Sequence, residues 1–153
     1  KYKLPVLVEK PLAVNINEIL NPVFKSKGLE SNSYTIKADK GFQDEPYIRL
    51  YNLKAEFEDN DNGLFYVSAD EGLYNQQNQT IKLSGNVIIL DEFKNKIYTE
   101  KALIEMIEKK INLLEEVISI SKKSSISSNS SVLDETNNTV TYSGNVKVKI
   151  ENE

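Results

Sequence analysis

Between Ser33 and Asp91 apolar and polar positions exchange almost residue by residue. In "SYTIKAD" Tyr34, Ile36 and Ala38 fall on one side, and Thr35, Lys37 and Asp39 on the other. "LFYVSAD" repeats the pattern with Phe65, Val67 and Ala69, and "YIRLYNLKAEF" (47–57) and "TIKLSGNVIIL" (80–90) continue it. Alternation with a period of two marks strands that bury one face. Before Ser33 the pattern is weaker. Residues 1–29 hold Pro5, Pro11 and Pro22, and proline confines such runs to edge strands or an extended arm. Residues 1–21 are therefore read as an arm or edge strands, and 22–153 as one domain.

Two segments give a different signal. In "IYTEKALIEMIEKKINLLEEVISI" (97–120) Leu103, Ile107, Ile111, Leu114 and Ile118 recur at helical spacing, with Thr99 as a candidate cap. The competing reading is two strands, with Ala102, Ile104 and Met106 on one face and a turn at 108–110. Periodicity alone favours the helix. "SISKKSSISSNSS" (119–131) is serine-rich and reads as a loop or a weak edge strand.

The strands also repeat. "YTIKADKGF" (34–42) aligns with "FYVSADEGL" (65–73) without a gap, and "SGNV" occurs at both 84–87 and 143–146. A unit of roughly 30 residues that returns in weaker form suggests a sheet built from like elements. By simple alternation Gly85 and Gly144 fall on the apolar face. A glycine within a strand marks a bend that lets the sheet curl, or a gap that leaves room for a ligand.

Composition narrows the function. The 153 residues include no histidine and no cysteine, which removes the usual zinc ligands and the Ser-His-Asp and Cys-His nucleophile arrangements. Acids are plentiful but scattered, and no spacing singles out a catalytic pair. The chain is read as a non-enzyme without cofactor or metal. A net charge of −4 argues against nucleic acid. "EDNDNGLF" (58–65) has aspartates at alternate positions, but its glycine is fifth where a calcium loop needs it sixth. Asn62-Gly63 suits a type I′ hairpin turn better. Lys122-Lys123 reads as a solvated turn.

The runs "NPVFKSKGLESNSYTIKADKG", "GLFYVSADEGLYNQQNQTIKLSGNVII" and "KIYTEKALIEM" together resemble the LptC family, the periplasmic component of lipopolysaccharide export. The likeness covers about residues 22–150. It departs from the family at Glu30, where a glycine can precede the Tyr-x-Ile strand. The resemblance implies an all-β fold, a twisted open β-jellyroll of two antiparallel sheets forming a V-shaped trough, with 97–120 as strand–turn–strand. It also implies a protein that relays lipopolysaccharide from an inner-membrane transporter at its N-terminal end to an LptA-like bridge protein at its C-terminal edge. The location implied is the periplasm, with a tether to the inner membrane through an N-terminal helix absent from this chain. The lipid-facing interior would then be Tyr34, Ile36, Ile48, Leu50, Phe65, Val67, Ile81, Leu83, Val87, Ile104 and Met106. The partner edge would be Val140, Tyr142, Gly144, Val146 and Val148. Two other readings stay open: an LptA-like soluble bridge, and a structural or adhesive β-repeat module with a closed core.

Overall fold

The computed structural model describes residues 17–27, 32–59 and 63–151. In chain order its strands are β1 (Glu18–Leu20), β2 (Val23–Lys27), β3 (Asn32–Lys37), β4 (Lys40–Asp44), β5 (Tyr47–Asp59), β6 (Gly63–Asn75) and β7 (Thr80–Asp91). They continue as β8 (Lys96–Glu105), β9 (Lys110–Leu113), β10 (Val117–Ile120), β11 (Ser124–Ser128), β12 (Ser130–Asp134), β13 (Thr139–Ser143) and β14 (Lys147–Ile150). Among the described residues there is no helix, and all pairing is antiparallel. The fold is the all-β open jellyroll.

The register shows how one sheet becomes two layers. The first layer runs β1, β4, the start of β5, the end of β6, the start of β7, the end of β8, β9, β12 and β13. The second runs β2, β3, then the other halves of β5 to β8, then β10, β11 and β14. Every long strand crosses from one layer to the other, and the short ones are interrupted at the same line. At that line the side-chain alternation of β5 and β6 changes phase, while β7 spends two residues on the bend and keeps its phase. β5 buries Ile48 and Leu50, then Leu53, Ala55 and Phe57; β6 buries Val67 and Ala69, then Gly72 and Tyr74. Strands that bulge or bend in this way let a sheet turn a corner and pack on itself.

The repeated phrases are the hardware of that corner. Asn52 and Asn86 sit at φ 54° and 47°, and Gly85 at φ 83°. Asn is among the few L-residues that tolerate this region. Asn52 Nδ2 donates to Asp39 Oδ2 at 2.8 Å, and Asn86 Nδ2 donates to Asp70 Oδ2 at 2.9 Å. The aligned Ala-Asp pairs thus lock onto the bend of the next strand. The second "SGNV" repeats the geometry, with Gly144 at φ 80° and Asn145 at φ 48°, and Asn129 N–H donates to the Ser143 and Gly144 carbonyls at 3.1 and 2.8 Å. A side chain on Gly85 would run into Asp70, and one on Gly144 into Asn129. Of the two readings of these glycines, the bend is right and the gap in the inner wall is not.

Residues 97–120 form β8, β9 and β10, strands joined by turns as the resemblance implies, so the helical periodicity misleads. Of its apolar set only Ile111 is buried; Ile107, Leu114 and Ile118 are 63%, 57% and 42% exposed, on a turn, the bend and the outer face. A further expectation is corrected: apart from the turn at 121–123 and the corner at Asn129, the serine-rich 119–131 is strand and not edge. β11 lies between β10 and β14, and β12 between β9 and β13. Small hydroxyl side chains fit there because the ladder carries the strands, and Ser128 Oγ donates to the Ser130 carbonyl at 2.8 Å as the chain crosses the corner. Residues 1–16 and Glu30 lie outside the described residues. β1, at the end of the stretch read as an arm, pairs with β4 and is an edge strand among the described residues.

Candidate lipid-binding trough

The inner faces of the two layers form one apolar body. Ile36, Ile48, Leu50, Val67, Ile81, Leu83, Val87 and Ile104 are buried in it, and Tyr34, Phe65 and Met106 pack half-buried against it. All eleven residues expected inside therefore point inside. They do not share one environment. Ile36, Leu50, Ile81 and Val87 are sealed at 0% exposure, whereas the half-buried Tyr34, Phe65 and Met106 border open space at the mouth of the V.

Polar contacts join the layers at that mouth. Tyr34 of the second layer and Tyr74 of the first meet through their hydroxyls at 3.1 Å, and Phe24 stands edge-on to Tyr74 with ring centres 5.1 Å apart. Burial, and then the bond to Tyr34, hold the Tyr74 phenol well above its ordinary pKa. Further along, Asp59 at the end of β5 is buried and lies 3.6 Å from Lys109 Nζ in the β8–β9 turn. Glu135 stands beside them. Burial first, and the Asp59 charge second, push its carboxyl up to about 7, with Lys109 opposing.

The sign of that shift yields a prediction. Folded Glu135 holds its proton between its ordinary 4.5 and about 7, while the unfolded chain releases it. Stability therefore falls as pH rises through that window and is lowest above it. Glu135→Gln is expected to raise stability at pH 8 by about 1–2 kcal/mol, after allowance for solvent screening. It should also flatten the pH profile between the two values. Urea unfolding across pH 4 to 8 reads this, and an unchanged slope would contradict it.

Past the mouth, toward the C-terminal end, the layers part. A cleft of about 450 Å³ opens between them, lined by Phe65, Ile89, Ile97, Ile126, Leu133 and Tyr142 among others. This volume is within the range of small-ligand pockets, about 300–1,000 Å³. Val140 and Tyr142 of the expected partner edge face this cleft. Val148 lies opposite cleft-lining Ile126 and is 60% exposed, Val146 is 46% exposed, and Gly144 is at the bend. β13 and β14 each pair on one side only, so both layers end here in open edges among the described residues. Sequence reasoning missed Ile97, Ile126 and Leu133. Ile126 was hidden by its serines, and Leu133 by the short alternation of "SVLDE". Among the described residues no group of acids could hold a metal, and Asp59 of the calcium-like stretch is engaged by Lys109.

The described residues form an open two-layer β-jellyroll with an apolar interior and a cleft at one end. The chain belongs to the LptC-related lipopolysaccharide-assembly family, whose model matches residues 21–151. A search of the curated proteins found no match. Membership assigns the chain to lipopolysaccharide transport as a non-enzymatic periplasmic component of that system. Among the described residues no helix is long and apolar enough to cross a membrane.

Proposed function

We propose that the chain receives lipopolysaccharide from an inner-membrane transporter at its N-terminal end, where β1 and β2 are the edges, and holds its acyl chains between the layers. It then passes the lipid along β13 and β14 to an LptA-like bridge protein. One observation carries this reading: the apolar cleft opens at the same end as the free edges of both layers. Lipid in the cleft would thus meet a docked partner without crossing water. Each buried methylene contributes about 0.8 kcal/mol, so about ten suffice for firm holding without any catalytic group. Because Ile36, Leu50, Ile81 and Val87 are sealed, this reading has the acyl chains enter at the cleft and requires the trough to widen as they advance.

A photoreactive residue at Leu133, inside the cleft, and at Val132, on the outer face of the same strand, tests it in cells. A lipopolysaccharide adduct at 133 and none at 132 is expected. With both variants folded, no adduct at 133 would favour the closed structural module.

A further inference from the structure

The two layers differ on their outer faces. On the first, opposite charges are interleaved. Arg49 lies 3.5 Å from Asp44 and 3.9 Å from Glu71, and Lys101 lies 3.5 Å from Glu115. Lys40 and Lys82 sit over the rings of Phe42 and Tyr47.

The second layer has another pattern. Its outward positions include Lys25, Lys37, Lys54, Lys96, Lys147 and Lys149, all exposed, against Glu56 and Glu58. Among the described residues none of these lysines is in an ion pair. Amid them runs an apolar stripe. Tyr66 stands opposite Leu90, Ile88 opposite Tyr98, and Tyr98 opposite Ile118, with Ile120 next on the same face. Tyr66, Ile118 and Ile120 are 42%, 42% and 43% exposed. Their chain neighbours Val67 and Val117 are in the core, so the stripe faces out, and among the described residues nothing covers it. A contiguous apolar patch of this kind marks an interaction surface.

We infer that this outer face of the second layer lies against an anionic phospholipid surface. Charge selects the occupant: a chain of net charge −4 gathers unpaired lysines around its outward apolar stripe. Lysines near an anionic leaflet are attracted within a Debye length. Tyrosines and aliphatic side chains insert at the level of the headgroups, and the lysine stems extend past them to the phosphates. The shape agrees. At strand spacings near 4.8 Å the basic face from β2 to β14 is about 38 Å wide, with a hollow bordered by Lys37, Lys54 and Ile88 at its corner side. Its strands are paired on both sides between β3 and β11, so no strand can add there. Lying this way would direct the two free edges along the membrane and leave the cleft clear of it.

The test uses the 153-residue chain and vesicles containing no lipopolysaccharide, so it is independent of the trough. Cosedimentation is expected with vesicles of phosphatidylglycerol and phosphatidylcholine at low salt, at least about tenfold weaker with phosphatidylcholine alone or at high salt. A triple variant, Lys37→Glu, Lys54→Glu and Lys96→Glu, should lose it, as should Tyr98→Ser with Ile118→Ser. Lys40→Glu, Lys82→Glu and Lys101→Glu on the other face should keep it. Absence of binding, equal binding to neutral vesicles, or equal loss from both triple variants overturns the inference. So does a photocrosslinker at Ile118 that captures an acidic protein in cells and no phospholipid.

Discussion

Gly85→Val is expected to destabilise the fold by about 3–4 kcal/mol, a large part of the 5–15 kcal/mol that holds a domain of this size together. The cost has three sources. At φ 83° a β-branched residue is strained by about 1–3 kcal/mol. A Cβ would lie 2.7 Å from Asp70 Oδ2 and 2.9 Å from Asp70 Cβ, so part of what must move is fixed close to the β6 backbone. Moving Asp70 also breaks its hydrogen bond to Asn86 Nδ2, worth about 1 kcal/mol. Gly85 lies at the register break of β7 with both β6 and β8, and the paired segments before and after it limit how far the strain can relax. Gly63→Ala is the matched control. Its φ is 85°, but the added carbon meets only the flexible end of Glu92, and about 1 kcal/mol is expected. Urea midpoints at unchanged m-value separate the two. A Gly85→Val variant within 1 kcal/mol of the parent chain would mean that the corner is not a fixed hinge.

That corner also explains what could be read in advance. Strand faces were legible wherever the two-residue period held, which is why all eleven interior positions point inward. The phase change was legible in principle: "LYNLKAEF" moves its apolar set from Leu50 to Leu53, skipping a beat at Asn52. β7 shows no such skip: Gly85 and Asn86 turn together, so Val87 and Ile89 keep the parity of Ile81 and Leu83, and simple alternation misplaced only Gly85. At 97–120 the helical periodicity misleads for a different reason. A turn, a bend and an outer face each contribute one exposed apolar residue, and their spacing happens to match a helix. The division between sealed core and open cleft was not legible at all. It depends on the gap between two layers, which no single strand encodes.

Val148→Pro is expected to abolish capture of an LptA-like partner, a loss of at least about tenfold, while leaving the fold and the lipid cleft in place. Strand addition at an edge rests on main-chain donors, and the register identifies which are available. Glu151 N–H donates to the Lys123 carbonyl at 2.9 Å. By the two-residue rhythm of an antiparallel ladder, Lys149 and Lys147 also pair with β11, and Val148 and Ile150 turn their N–H groups to the open side. Proline at 148 removes an outward donor and keeps the inward ones, which an edge strand tolerates. Lys147→Pro does the reverse, cutting a bond to β11 and loosening β14 from the sheet. The pair separates a pairing defect from a folding defect. Pull-down with the bridge protein and Leu133 crosslinking to lipopolysaccharide, run on both variants, give the answer. Normal capture by Val148→Pro would exclude the β14 edge and move the contact to β13, where Val140 and Tyr142 face the same cleft.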